Sequence, residues 1–327
     1  MKYLSYFVLS FLWSYVGVVF ADTASELLWL TESAPPGTKG VKTHDSYTEG
    51  ESLDTLYSSA KHLWLRQGDD PNTAKFTHPV SLPASICIID NKGLRHDLFQ
   101  TGSGLYHVKV DLPKPGFYNA YLINQSVQGD VLNVNVAKAE LVKGSCCIKT
   151  ADNELTKTAV NNAAPLELVR THWPDEGLFT RLASGDKLNF TVLANGKPQS
   201  EATVTMITQQ GWRKTALSDA QGNVAFTLIR DYFPGRQDFQ LHLQETFLIM
   251  AERDIPTGGE LNGTRYVATR YRTSLSGNYF PYAQDYRSYV IGLAVGLIVV
   301  AFGGLGIYFY RYKRIKPYRE IGFDGVY

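Results

Sequence analysis

Seven histidines (His44, His62, His78, His96, His107, His172 and His242) carry the chemistry that stands out in this chain. Neutral imidazole is the commonest nitrogen ligand for nickel, copper and zinc. His242 falls within the alternation Phe239, Leu241, Leu243, on the face opposite those apolar side chains and beside Gln240 and Gln244, with Glu245 just beyond. His172 sits in the loop Thr171-His172-Trp173-Pro174-Asp175, where a carboxylate can orient the ring. The expected ligands of a divalent transition metal (Ni, Co, Cu or Zn) are therefore His242 and His172, with Glu245 and Asp175 in support. His107 also lies in a strand pattern. The plain alternative for each histidine is a solvent-facing or singly hydrogen-bonded ring.

Other chemistry is sparse. The chain has no G-x-S-x-G nucleophile elbow, no H-E-x-x-H pair and no P-loop, and Gly102-Ser103-Gly104 lacks the fifth position of an elbow. A dispersed Ser/His/Asp triad meets only in space and leaves no such signature. The expectation is that the protein is not an enzyme. Cys87, Cys146 and Cys147 are too few for a disulfide scaffold, although one bridge from Cys87 to either member of the vicinal pair is open to them. A formal net charge of +1 argues against nucleic acid as a partner.

Two apolar stretches place the chain. Residues 1–21 begin with Lys2, run through Leu4 to Phe20 and end Val19-Phe20-Ala21, which reads as a signal peptide cleaved after Ala21; an uncleaved signal anchor is the alternative. Residues 289–310 carry no charge, and about 22 residues at 1.5 Å each reach roughly 30 Å, the hydrocarbon thickness of a bilayer. Tyrosines flank this stretch, and Arg311, Lys313, Arg314, Lys316 and Arg319 follow it. Basic residues stay on the cytoplasmic side. The reading is a single-pass protein of the inner (cytoplasmic) membrane, with its N-terminal part in the periplasm and a basic tail, residues 311–327, in the cytoplasm. Gly292, Gly296 and Gly303 fall on roughly one side of the transmembrane helix, a small-residue face against which another helix can pack.

Between the two stretches the pattern is that of strands. Leu27-Leu28-Trp29-Leu30 reads as a first strand, and a short helix is expected around Ser52 to Trp64 within an N-terminal segment, 22–80, of open packing. Ser85 to Asp90, Tyr106 to Leu112, Phe117 to Ile123 and Val131 to Val136 are short apolar or alternating runs broken by Pro/Gly turns, and residues 81–147 are assigned to a first β-sandwich. The polar, aperiodic residues 148–165 read as a linker. Residues 166–276 form a second Ig-like sandwich: Leu188, Phe190 and Val192 share a face, Asn195-Gly196 marks a type I′ hairpin, and Ala202, Val204, Met206 and then Val224, Phe226, Leu228 alternate. Residues 277–288 hold four aromatics and read as a juxtamembrane stalk and interfacial belt. The fold class is all-β, with two Ig-like or transthyretin-like sandwich domains outside the membrane and one C-terminal transmembrane helix.

The run Gly185 to Leu228, with its Gly196-Lys197-Pro198 hairpin and the later Asp219-Ala220-Gln221-Gly222, resembles the carboxypeptidase-regulatory or transthyretin-like sandwich. With Trp29, Leu166 to Val169 and the closing Arg270 to Leu275, the wider frame resembles the bacterial periplasmic family DUF4198, related to the periplasmic component of nickel and cobalt uptake systems. Members of that family often open the mature chain with a histidine before a Trp-Leu pair, and Asp22 to Leu28 has none. The resemblance implies a membrane-anchored binding module accessory to nickel- or cobalt-type uptake, partnered with an inner-membrane transporter. The alternative is a non-catalytic assembly subunit that docks on other membrane-complex subunits through its ectodomain and helix.

Overall fold

The computed structural model describes residues 27–35, 46–48, 58–78, 85–98, 106–144, 157–229 and 241–314. Residues 1–21, expected to be a signal peptide, lie outside them, as do Cys146, Cys147 and the tail beyond residue 314. The first strands are β1 (Leu28–Thr31), β2 (Ser46–Thr48), β3 (Ala60–Gln67), β4 (Lys75–Phe76), β5 (Ser85–Asp90), β6 (Arg95–Leu98) and β7 (His107–Asp111). A long hairpin follows, β8 (Gly116–Gln128) and β9 (Val131–Lys143). Next come β10 (Glu167–Thr171), β11 (Lys187–Ala194), β12 (Lys197–Pro198), β13 (Thr203–Thr208), β14 (Arg213–Leu217) and β15 (Asn223–Thr227). The last strands are β16 (Leu241–Leu243), β17 (Glu245–Ile255), β18 (Gly259–Leu261), β19 (Thr264–Tyr266) and β20 (Ala268–Tyr279), before the helix α1 (Ala283–Arg314).

The fold is all-β with one C-terminal helix, and its two sandwiches share a sheet. Eight strands in the order β14-β13-β17-β20-β9-β8-β5-β6 make one continuous layer. At its middle β20 and β9 run parallel, from Ala268↔Val131 to Ser276↔Ala139. The smaller sheet of β1, β3, β4 and β7 covers one face of the β9-β8-β5 half, burying Leu28, Leu30, Leu63, Leu65, Val108 and Val110 against Ile86, Ile88, Tyr118, Ala120, Leu122, Ala137, Ala139 and Leu141. The sheet of β10, β11, β12 and β15 covers the β13-β17-β20 half with Leu168, Leu188, Phe190, Val192, Val224 and Phe226. Side chains alternate faces along a strand. Tyr118, Ala120 and Leu122 enter the first core while Tyr121 points the other way; Phe247, Ile249 and Ala251 enter the second core while Leu248 and Met250 pack with Trp29. The two small sheets therefore cap opposite faces of the long one and overlap at the parallel seam.

Several local expectations meet a different outcome. The helix placed around Ser52 to Trp64 does not extend to its C-terminal end: residues 60–67 are β3, paired with β1, β4 and β7. Residues 52–57 lie outside the described part. The run Leu63-Trp64-Leu65 is apolar on both sides, and pairing on both edges selects strand where the periodicity was ambiguous. Within the stretch read as a linker, residues 157–165 are packed: Ala159 and Ala164 are buried, and the Ala159 carbonyl accepts from Asn119 Nδ2 at 2.9 Å. The stalk is also corrected. Tyr279 is fully buried in the second core rather than at an interface, and Phe280 forms a bridge with Ala183. The Asn195-Gly196 hairpin is as expected, with φ of 49° and 74°.

Candidate functional site

Two of the expected metal ligands, His172 and Glu245, take separate places. His172, at the end of β10, has its side chain buried on Phe117, with ring centroids 4.2 Å apart, and its Nε2 is 3.0 Å from Glu140 Oε2. Glu140 also accepts from Arg170 Nε and from its terminal nitrogen at 2.7 Å; Arg170 forks onto Glu176 at 2.6 and 3.0 Å. Burial alone would disfavour each of these charges. It is outweighed: Arg170 and His172 hold the Glu140 carboxyl well below the usual range, and Glu140 raises His172 despite its burial. The carboxylate that closes this cluster is Glu176, whose Oε2 also accepts from the Trp173 amide; Asp175 is exposed.

Glu245 opens β17, buried, and accepts from Gln210 Nε2 at 2.8 Å and Tyr279 Oη at 2.9 Å. His242 lies on β16 opposite Tyr47 of β2, and its side chain is outside the described part. His172 and Glu245 thus belong to two different networks. Among the described residues no group of three or more His, Cys, Asp and Glu side chains stands together as an ion cage. Cys87 is a buried thiol, pushed up by burial, among Ile89, Tyr121, Val136 and Ala159.

One pair was not assembled by sequence reasoning. His62 on β3 and His107 on β7 are diagonal neighbours across the ladder, with Nδ1 and Nε2 2.8 Å apart. Their rings are 9° from parallel with centroids 5.0 Å apart, a near-coplanar, edge-to-edge pair. Trp64, directly opposite His107, packs on that ring with centroids 4.7 Å apart. The pair is half-buried, on the face of β3 and β7 opposite the one that carries Leu63, Leu65, Val108 and Val110 into the core. Burial lowers both histidines; Lys109 adds to this at His62, and the neighbouring His62 does so at His107. The signal that could have found it was the alternation His107, Lys109, Asp111, set against His62 and Trp64 two residues apart. Reading residues 52–64 as helix hid the second half.

The helix α1 carries a span, Ile291–Arg314, with the length and apolar composition needed to cross a membrane. Gly292, Gly296 and Gly303 lie on it with open space where a Cβ would stand. Its last turn carries Arg311, Lys313 and Arg314.

No family model matches the chain, and no curated protein does. Solved structures give distant likenesses. The BSP domain of a biofilm associated protein is 10% identical, with a TM-score of 0.17, over 67% of this chain and 28% of that one. A two-domain fibronectin type-III segment of chicken tenascin is 8% identical, with a TM-score of 0.18, over 69% of this chain and 94% of that one. A DUF4785 family protein from Legionella pneumophila is 12% identical, with a TM-score of 0.21, over 59% of this chain and 49% of that one. None of these identifies a ligand or partner of this chain.

Proposed function

We propose that the chain is a non-catalytic, single-pass subunit of the inner membrane whose β-sandwich ectodomain stands in the periplasm and docks on a larger membrane complex. The observation that carries this reading is the junction between sheet and helix. β20 pairs with β17 as far as Tyr279↔Glu245, and Tyr279 is fully buried. The Phe280 amide then donates to Leu182 O at 2.9 Å, the Ser184 amide to Phe280 O at 2.7 Å, and the Tyr282 amide to Ser184 Oγ at 3.0 Å. The helix begins at Ala283. A junction without slack fixes the ectodomain relative to the helix, as a subunit that must present one surface to a membrane neighbour requires; a tether for free capture needs length and freedom instead. The basic last turn supports a cytoplasmic tail. Glu140, Glu167, Glu176 and Glu245 each hold fixed hydrogen-bond or ion-pair partners, which suits structural rather than acid–base work.

The test is to insert a flexible eight-residue Gly-Ser segment between Tyr282 and Ala283 and to measure the mass of the detergent-extracted assembly. The expected result is an ectodomain with unchanged melting that no longer co-isolates with its membrane subunits. An assembly of unchanged mass and composition would overturn the reading. The uptake role implied by the DUF4198 resemblance would add a metal to this docking role, and the histidines that favour one are His62 and His107.

A further inference from the structure

We propose that His62 and His107 form a two-imidazole site for a copper(II) ion, with the remaining coordination positions left to water or to a group from a partner. The inference is independent of the docking role. The facing nitrogens are 2.8 Å apart because they share a hydrogen bond; once both rings turn their lone pairs to one side, a single ion can meet both at about 2.0 Å. Copper(II) binds nitrogen sites most tightly among the divalent first-row ions.

In the free protein the two rings share a hydrogen bond, so one of the facing nitrogens carries a proton. Ligation moves that proton to the other nitrogen of the same ring and pivots the rings about χ2, a soft torsion, until both lone pairs meet at one point. The neutral pair therefore takes up the ion with no net proton release. Three further features favour binding. The histidines stand on neighbouring hydrogen-bonded strands, which fix their separation. Trp64 covers one face of the His107 ring. Both rings are half-buried, open enough for an ion to enter and dry enough to be held neutral.

The experiment uses the full-length chain in detergent, stripped with chelator and titrated with copper(II) under electron paramagnetic resonance. The expected result is one equivalent bound with nitrogen hyperfine splitting, weakened at least tenfold in His62→Gln and in His107→Gln and unchanged in His172→Gln. Absence of binding in the native chain would overturn the proposal. So would binding in the two pair variants as tight as in the native chain, or a loss in His172→Gln as large as theirs. A second measurement avoids the variants: copper(II) should protect His62 and His107 of the native chain from diethyl pyrocarbonate, read by mass spectrometry, while magnesium should not. Modification of both at the unprotected rate in the presence of copper(II) would equally overturn it.

Discussion

Lys138 of β9 and Glu167 of β10 meet at 2.7 Å with both side chains 1% exposed, where the long shared sheet packs on the second small sheet. Tyr121 Oη donates to the same Glu167 oxygen at 2.6 Å, Lys138 also donates to Leu168 O, and the Asn161 amide donates to the other carboxylate oxygen. Tyr121 and Lys138 are paired on neighbouring strands, so one register error would take both out of the network. A buried ion pair is a weak source of net stability, yet breaking one partner leaves a charge stranded.

Lys138→Met should therefore destabilise the β-sandwich part by about 3–5 kcal/mol, read as a lowered melting temperature of the solubilised chain. Adding Glu167→Leu and Tyr121→Phe should restore most of that loss, because no uncompensated charge remains. A Lys138→Met chain that melts like the native one would show that water reaches the pair.

The His172–Glu140 contact predicts a pH dependence. His172 is raised in the folded state because the Glu140 hydrogen bond and charge outweigh burial. A raised folded value stabilises fully below the unfolded value of about 6.5, and the contribution is lost as pH rises through the folded value. Glu140 has the opposite sign: its lowered value stabilises fully above the ordinary carboxyl range, and the contribution is lost progressively as pH falls below that range towards the folded value. His172→Gln should thus flatten the decline in melting temperature from neutral to mildly alkaline pH and weaken, without abolishing, the acid limb, because Arg170 still holds Glu140 low. A decline of unchanged slope would assign the titration elsewhere.

Much of this architecture was legible because the strands carry clean period-two patterns. Val108/Val110, Leu188/Phe190/Val192 and Val224/Phe226/Leu228 all point into cores as their spacing requires. The shared sheet was not legible, because the β20–β9 pairing joins residues more than a hundred positions apart and leaves no local mark. Nor was the polar seam: Lys138 alternates with Ala137 and Ala139 just as a solvent-facing residue would, and only the overlap of the small sheets buries it. The carboxylate that joins the Arg170 cluster was hidden for a similar reason. Asp175 and Glu176 are adjacent in sequence, and the turn after β10 sends Glu176 inward to Arg170.

Gly277 offers a packing test at the end of β20. A Cβ there would stand 2.5 Å from Cζ of Phe247, a ring 1% exposed in the second core and in contact with Tyr279. Gly277→Ala should cost about 1–3 kcal/mol, as overpacking of a filled core does. Combining it with Phe247→Leu makes room for the methyl group, so the double variant should lose less than the sum of the two single changes. Simple additivity would mean that the ring moves aside at no cost.

The last prediction concerns the glycines of α1. Gly292 and Gly296 are four residues apart on one side of the helix, with Gly303 seven further on, and none of the described residues approaches their Cβ positions. Replacing Gly296 by Leu adds bulk but improves helix propensity by up to about 1 kcal/mol, so the isolated helix should be no less stable. If the ectodomain docks with help from this face, Gly296→Leu should shrink the detergent-extracted assembly while the melting of the sandwiches stays fixed. Gly304→Leu, one position round from Gly303, supplies the comparison and should have the smaller effect. Equal losses from both would mean that the helix is crowded on all sides, and loss from neither would leave the sandwich surface as the sole docking element.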